Sequence, residues 1–271
     1  MPKTTSNGIE LYYETHGEGQ PLVLISGLGY TSWQWHKVVP FLAEHFQVIT
    51  FDNRGVGQSD KPEGPYSAQL LAADTVGLLD ALGIDKAIIA GHSMGGFIAQ
   101  AIALDYPHRV EKLILCSTNF GGPNHIPVTP EAMKVLTDVA SDALTRFKNG
   151  LVVSTAPGWA EKNPEMVEEW VKWRVANPIE PIHYQAQLAI GLVLMPEAAA
   201  FENKLKNISV PTLILFGAHD KVVPMANADL LAKQLSGSQT RILPDAGHFF
   251  PLEVPEEASR VMIDFVKGGV S

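Results

Sequence analysis

The residues best suited to chemistry stand in Ala87-Ile88-Ile89-Ala90-Gly91-His92-Ser93-Met94-Gly95-Gly96-Phe97, an apolar run that passes through G-x-S-x-G into a stretch of helical period. A serine at so sharp a strand-to-helix turn is lifted above the sheet. Its flanking glycines leave room where a Cβ would collide with the neighbouring strand or helix. The following helix starts at this serine, so its dipole and the free Met94 N–H favour an anion formed beside it. Ser93 is therefore expected to be the nucleophile of an acyl transfer, against the plainer reading of a glycine-rich turn.

A serine hydroxyl needs a base near neutral pH. Of the nine histidines, His248 follows the strand-like Thr240-Arg241-Ile242-Leu243, within Asp245-Ala246-Gly247-His248-Phe249-Phe250. A loop at the carboxyl end of a strand is where open α/β sheets place function, and this selects His248. His92 precedes the nucleophile and should point the other way. The base needs an acid to fix its tautomer, and the run Thr212 to Phe216 ends in Gly217-Ala218-His219-Asp220. Asp220 fits the chain order Ser, acid, His, with Asp245 as the weaker competitor. The run ending in Cys116-Ser117-Thr118-Asn119 offers no carboxylate.

The second donor to a developing oxyanion should come from Ser26-Gly27-Leu28-Gly29-Tyr30, and is assigned to the Leu28 N–H beside that of Met94. Gly55-Val56-Gly57-Gln58-Ser59 imitates the nucleophile motif, but Lys61 replaces its second glycine. Asp52-Asn53-Arg54-Gly55 is read instead as a brace for its own loop.

These residues need a sheet to hold them. Buried strands are expected at Leu22 to Ile25, Val48 to Phe51, Ala87 to Ala90, Leu113 to Cys116 and Thr212 to Phe216, with an antiparallel start around Asn7-Gly8. Helical periods run through Ala68 to Leu82, Phe97 to Tyr106, Met225 to Leu235 and Glu256 to Val266. Such alternation implies right-handed crossovers and a mostly parallel sheet covered on both faces. From 119 to 211 the alternation stops. That interval has helical character at Thr129 to Lys148, Pro164 to Ala176 and Pro181 to Leu194, and is expected to form a helical cap. The core is then 1–118 with 212–271.

A net charge of −9 over 271 residues disfavours nucleic acid and anionic membrane partners. The lone Cys116 allows no intrachain disulfide, and residues 1–8 lack the pattern of a signal peptide, so a reducing, cytoplasmic location is expected. No metal-ligand motif and no dinucleotide fingerprint is visible, so no metal or cofactor is expected.

Taken together, Phe51-Asp52-Asn53-Arg54-Gly55-Val56-Gly57-Gln58-Ser59-Asp60, Gly91-His92-Ser93-Met94-Gly95-Gly96, Gly217-Ala218-His219-Asp220 and Gly247-His248 resemble the α/β-hydrolase superfamily over nearly the whole chain. The nearest likeness is to small capped esterases and lactonases, such as 3-oxoadipate enol-lactonase and the methylesterases. One departure is Ser26-Gly27, where the family commonly has His-Gly.

The resemblance implies an eight-stranded, mostly parallel sheet with helices on both faces and a helical cap. It implies a Ser-His-Asp hydrolase acting on small, largely apolar carboxylic esters or lactones. A serine at 93 sets the chain apart from branches with an aspartate nucleophile. C–C bond hydrolysis of ring-cleavage products, cofactor-free perhydrolysis and a non-catalytic ligand receptor are the alternatives. Trp33, Trp159, Trp170 and Trp173 are the aromatic residues expected to line the pocket, against the alternative that they pack a core.

Overall fold

The computed structural model describes residues 2–138 and 140–268. It begins with a hairpin of β1 (Lys3–Ser6) and β2 (Ile9–His16), where Asn7 and Gly8 adopt φ of 48° and 80°. Both positive values are what a two-residue turn of the right twist demands. β3 (Pro21–Ile25), β4 (Gln47–Phe51), β5 (Ala87–His92), β6 (Val110–Cys116), β7 (Thr212–Gly217) and β8 (Gln239–Leu243) follow and pair in parallel. The eight strands lie in the order β1-β2-β4-β3-β5-β6-β7-β8.

Between the strands run α1 (Val39–Leu42), α2 (Ala68–Ala81) and α3 (Met94–Asp105). Five helices then fall between β6 and β7: α4 (Pro130–Leu136), α5 (Ala143–Ser154), α6 (Trp159–Lys162), α7 (Pro164–Ala176) and α8 (Pro181–Val193). α9 (Ala226–Gln234), α10 (Phe250–Glu253) and α11 (Pro255–Lys267) complete the chain.

The single helix expected over Thr129 to Lys148 is two. Asp138 Oδ1 accepts the N–H groups of Ala140 and Ser141, both at 3.0 Å, and Asp142 caps α5 by accepting from Leu144 and Thr145. Short acidic side chains that satisfy nearby amides favour turns and N-caps over helix interiors, and here two of them lie within five residues.

Period-two alternation sorts the central strands onto two faces. Val23, Ile25, Ile49, Ile89, Leu113 and Leu115 pack against α2, α3 and α9. Leu22, Leu24, Val48, Ile88, Ala90 and Ile114 pack against α1 and α11. With both faces covered, the strands are near-continuous apolar runs, which is why they were visible in the sequence.

The loop after β8 rests on the end of α5. Phe249 donates its N–H to Ser154 O at 2.9 Å, and the Glu253 carboxylate accepts from Ala156 N–H at 2.7 Å and Gly247 N–H at 3.0 Å. Glu253 is buried, and burial pushes its carboxyl up to about 7 against these hydrogen bonds. The folded state thus keeps a proton up to about pH 7 that the unfolded chain releases near 4.5. Between those values the folded state binds more protons, so this group's effect on stability becomes less favourable as pH rises. At about 1.4 kcal/mol per pKa unit, the loss across that window is on the order of 3 kcal/mol. Urea unfolding from pH 4.5 to 8 should show a falling wild-type stability that Glu253→Gln largely flattens; parallel curves would contradict the assignment.

Candidate active site

Ser93 stands between β5 and α3 with φ 55° and ψ −116°, a backbone conformation that few residues other than glycine accept. Its surroundings hold it there. Ser93 N–H donates to Cys116 O at 2.9 Å, and Ser93 O accepts from Gly96 N–H and Thr118 Oγ1, each at 2.9 Å. The glycines of the motif have individual reasons. A Cβ at Gly91 would lie 2.1 Å from Gly95 O, and one at Gly95 would lie 2.2 Å from Ile25 O. α3 can therefore begin hard against β3 and β5 only because both positions lack side chains.

Asp220 follows β7 with its side chain out of solvent. Its Oδ1 accepts the N–H groups of Val222 at 2.9 Å and Val223 at 2.7 Å, which leaves Oδ2 for His248 Nδ1 at 2.8 Å. A carboxylate only accepts, so Nδ1 carries the hydrogen and Nε2 keeps its lone pair. Asp245 is exposed and makes no such contact, and His219 is exposed as well.

Ser93 and His248 line one cavity of about 160 Å³, together with Gly27 and Leu28. Its remaining wall comes largely from the helices between β6 and β7, through Leu136, Phe147, Gly150, Arg174 and Tyr184. The wall is mostly apolar but carries two guanidinium groups. Arg174 Nη1 donates to Gly29 O at 3.0 Å and lies 4.9 Å from the Tyr30 ring centre; Arg146 donates to Asp138 O at 2.7 Å and lies 5.7 Å from that of Tyr184.

The loop after β3 sorts its own amides. Gly27 N–H is taken by Gln34 Oε1 at 2.7 Å, Gly29 N–H by Gln187 Oε1 at 2.9 Å, and Tyr30 N–H by Gly27 O at 3.3 Å. Among the described residues, the Leu28 N–H has no protein acceptor. Met94 is the first residue of α3, where an N–H has no partner within the helix. The segment 52–55 braces as expected. Asp52 accepts from Ser32 and Gln58 N–H at 2.8 and 2.9 Å, Asn53 Nδ2 donates to Ser26 O at 3.2 Å, and Arg54 pairs with buried Asp74.

The four tryptophans stand elsewhere than expected. None of Trp33, Trp159, Trp170 and Trp173 is among the residues that line the cavity. Trp159 stacks on Trp170 at 4.8 Å and Trp33 on Trp173 at 4.2 Å, and the first pair packs with Leu151, Phe249 and Leu252 behind the wall. Helical spacing puts an indole on an inward face without saying whether that face meets a cavity or another helix. Gln34, Gln187 and Glu253, whose hydrogen bonds hold the site loops, were missed altogether. A single amide or acid that bonds main-chain groups of another segment gives no periodic or motif signal, whatever element it stands in.

Among the described residues, no helix is long and apolar enough to cross a membrane, and no group of three or more His, Cys, Asp or Glu is placed to hold a metal ion.

Residues 20–255 match the family model described as alpha/beta hydrolase fold. The chain is 30% identical to 3-oxoadipate enol-lactonase 2 of Acinetobacter baylyi over 93% of this chain and 91% of that one. It is also 30% identical to a 2-hydroxy-6-oxononadienedioate/2-hydroxy-6-oxononatrienedioate hydrolase of Paraburkholderia xenovorans, over 95% of this chain and 91% of the relative. The crystal structure of the enol-lactonase from Burkholderia xenovorans superposes with a TM-score of 0.82 at 28% identity, covering 98% of this chain and all of that one. Sheet order, strand-to-helix turn and full-length similarity agree, and the chain belongs to the α/β-hydrolase fold family.

Proposed function

We propose that this protein is a serine hydrolase that cleaves small carboxylic esters or lactones through an acyl-enzyme. The observation that carries the reading is the 2.8 Å contact from His248 Nδ1 to Asp220 Oδ2, with His248 and Ser93 facing the same cavity. Because Asp220 takes the Nδ1 hydrogen, Nε2 is free to accept the proton of Ser93 as its oxygen attacks the carbonyl carbon. The negative charge that develops on the carbonyl oxygen is met by the Leu28 and Met94 N–H groups. His248, now an imidazolium balanced by Asp220, returns the proton to the departing alcohol oxygen. A water then loses a proton to Nε2, attacks the acyl carbon and frees the acid and the Ser93 hydroxyl.

Residues 119–211 act in this reading as the cap, since α4, α5, α7 and α8 all contribute to the wall around the substrate. The relatives support the class of chemistry, with one named for lactone and another for dienedioate hydrolysis. Cleavage of esters and lactones is separated from that of carbon–carbon bonds by a panel holding aryl esters, lactones and a vinylogous 1,5-diketone.

Ser93→Ala should lower kcat on the best ester by on the order of 10³-fold or more while the melting temperature stays within a few degrees. A folded, pure variant with wild-type turnover would remove Ser93 from the mechanism.

The two candidate acids give opposite expectations. Asp220→Asn should cost on the order of 10³-fold in kcat, because an amide at that place permits the wrong histidine tautomer. Asp245→Asn, at an exposed site, should leave kcat within about twofold. Steady-state kinetics of the two variants decide between them, and reversal of the two effects would reassign the acid.

A further inference from the structure

His92 lies between Gly91 and the nucleophile, is wholly buried, and takes no part in the steps above. At the edge of the cavity its side chain, with that of Gln34, forms a line of hydrogen bonds that joins the two loops serving the reaction. Gly27 N–H meets Gln34 Oε1 at 2.7 Å, Gln34 Nε2 meets His92 Nδ1 at 2.8 Å, and His92 Nε2 meets His248 O at 2.7 Å.

Only one arrangement of hydrogens satisfies that line. A backbone N–H can only donate, so the oxygen of Gln34 faces Gly27 and its NH₂ faces His92. A backbone carbonyl can only accept, so His92 Nε2 carries a hydrogen, while Nδ1 must offer a lone pair to the amide. The imidazole is therefore the neutral Nε2–H tautomer. A proton on Nδ1 would set N–H against N–H inside the core. Burial, followed by the nearby His248, independently holds this histidine well below the usual range.

The charge state matters because the His92 ring centre is 4.6 Å from that of His248. His248 becomes positive whenever it takes the serine proton, and a second positive imidazole so close would oppose that step. His248 is the titratable group that faces His92. The other rings around it, Trp35 at 6.2 Å and Phe250 at 5.8 Å, are uncharged.

We propose that Gln34 is a positioning residue that fixes His92 as the neutral Nε2–H tautomer, ties the oxyanion loop to the backbone of His248, and keeps a competing charge away from the base. The proposal rests on the serine hydrolase reading for its kinetic consequences but not for the tautomer itself.

The first measurement is 15N NMR of the imidazole nitrogens in the wild-type protein. His92 should show a protonated Nε2 and an unprotonated Nδ1 from pH 5 to 9; a titration in that range, or the opposite tautomer, overturns the proposal whether or not Ser93 is the nucleophile. The second is Gln34→Glu, whose carboxylate accepts from Gly27 and invites a proton onto Nδ1. His92 should then become doubly protonated. The acid limb of kcat/KM should move to lower pH by on the order of one unit, with a lower kcat. The third is Gln34→Met, which removes both hydrogen bonds without adding charge. It should lower kcat by roughly ten- to a hundredfold, change KM less, and leave the acid limb in place. Folded variants, verified by circular dichroism, with wild-type kcat and pH profile would overturn the link to the base.

Discussion

The geometry of the site depends on one backbone conformation, that of Ser93 at φ 55° and ψ −116°. Such a residue is held only by surroundings that over-determine it. Here β6 supplies the acceptor for its N–H, the hydroxyl of Thr118 donates to its carbonyl, and α3 starts so close to β3 that a methyl at Gly95 has no room. The strain thus sits where three strands and a helix converge, in the middle of the sheet. The same turn gives two successive residues different settings: Ser93 lines the cavity partly exposed, while His92 is wholly buried at its edge with its ring nitrogens on Gln34 and the His248 carbonyl.

Legibility in the sequence followed the kind of constraint acting on each residue. Ser93 and Asp220 each stand just past an apolar run that reads as a buried strand, and His248 follows the strand-like Thr240 to Leu243, so the order of runs already put them on one edge of the sheet. The glycines were readable because their need is steric and local. The tryptophans were not, since the 3.6-residue period of α7 is the same whether Trp170 meets a cavity or Trp159. The break between α4 and α5 was hidden for a related reason: the apolar period continues across it, and the turn is decided by the hydrogen bonds of Asp138 and Asp142. Gln34 meets the His92 side chain 58 residues away and Glu253 the Ala156 amide 97 residues away, and such pairings leave no trace in composition or spacing.

Polar groups buried around the cavity share a pattern. Asp52, Glu253 and Gln187 spend their oxygens on backbone N–H groups of loops. A loop that must leave the sheet and return has amides with no strand partner, and a buried amide left unpaired costs on the order of 1–3 kcal/mol. These side chains supply what the ladder cannot, so the shape of each loop is specified by a few acceptors and not by its own sequence period.

The contact between the loop after β8 and residues 154–156 bears on how such a protein can change its specificity. The helices between β6 and β7 form a large part of the cavity wall, so exchanging them for those of another family member looks like a direct route to a new substrate. Yet Ser154 O and the Ala156 N–H hold the very loop that carries His248, and a Cβ at Gly247 would lie 2.7 Å from the Thr155 carbonyl carbon. Recombination therefore has a seam inside the segment between β6 and β7. Residues 154–156 inherit with the β8 loop, and diversity is free to accumulate on either side of them.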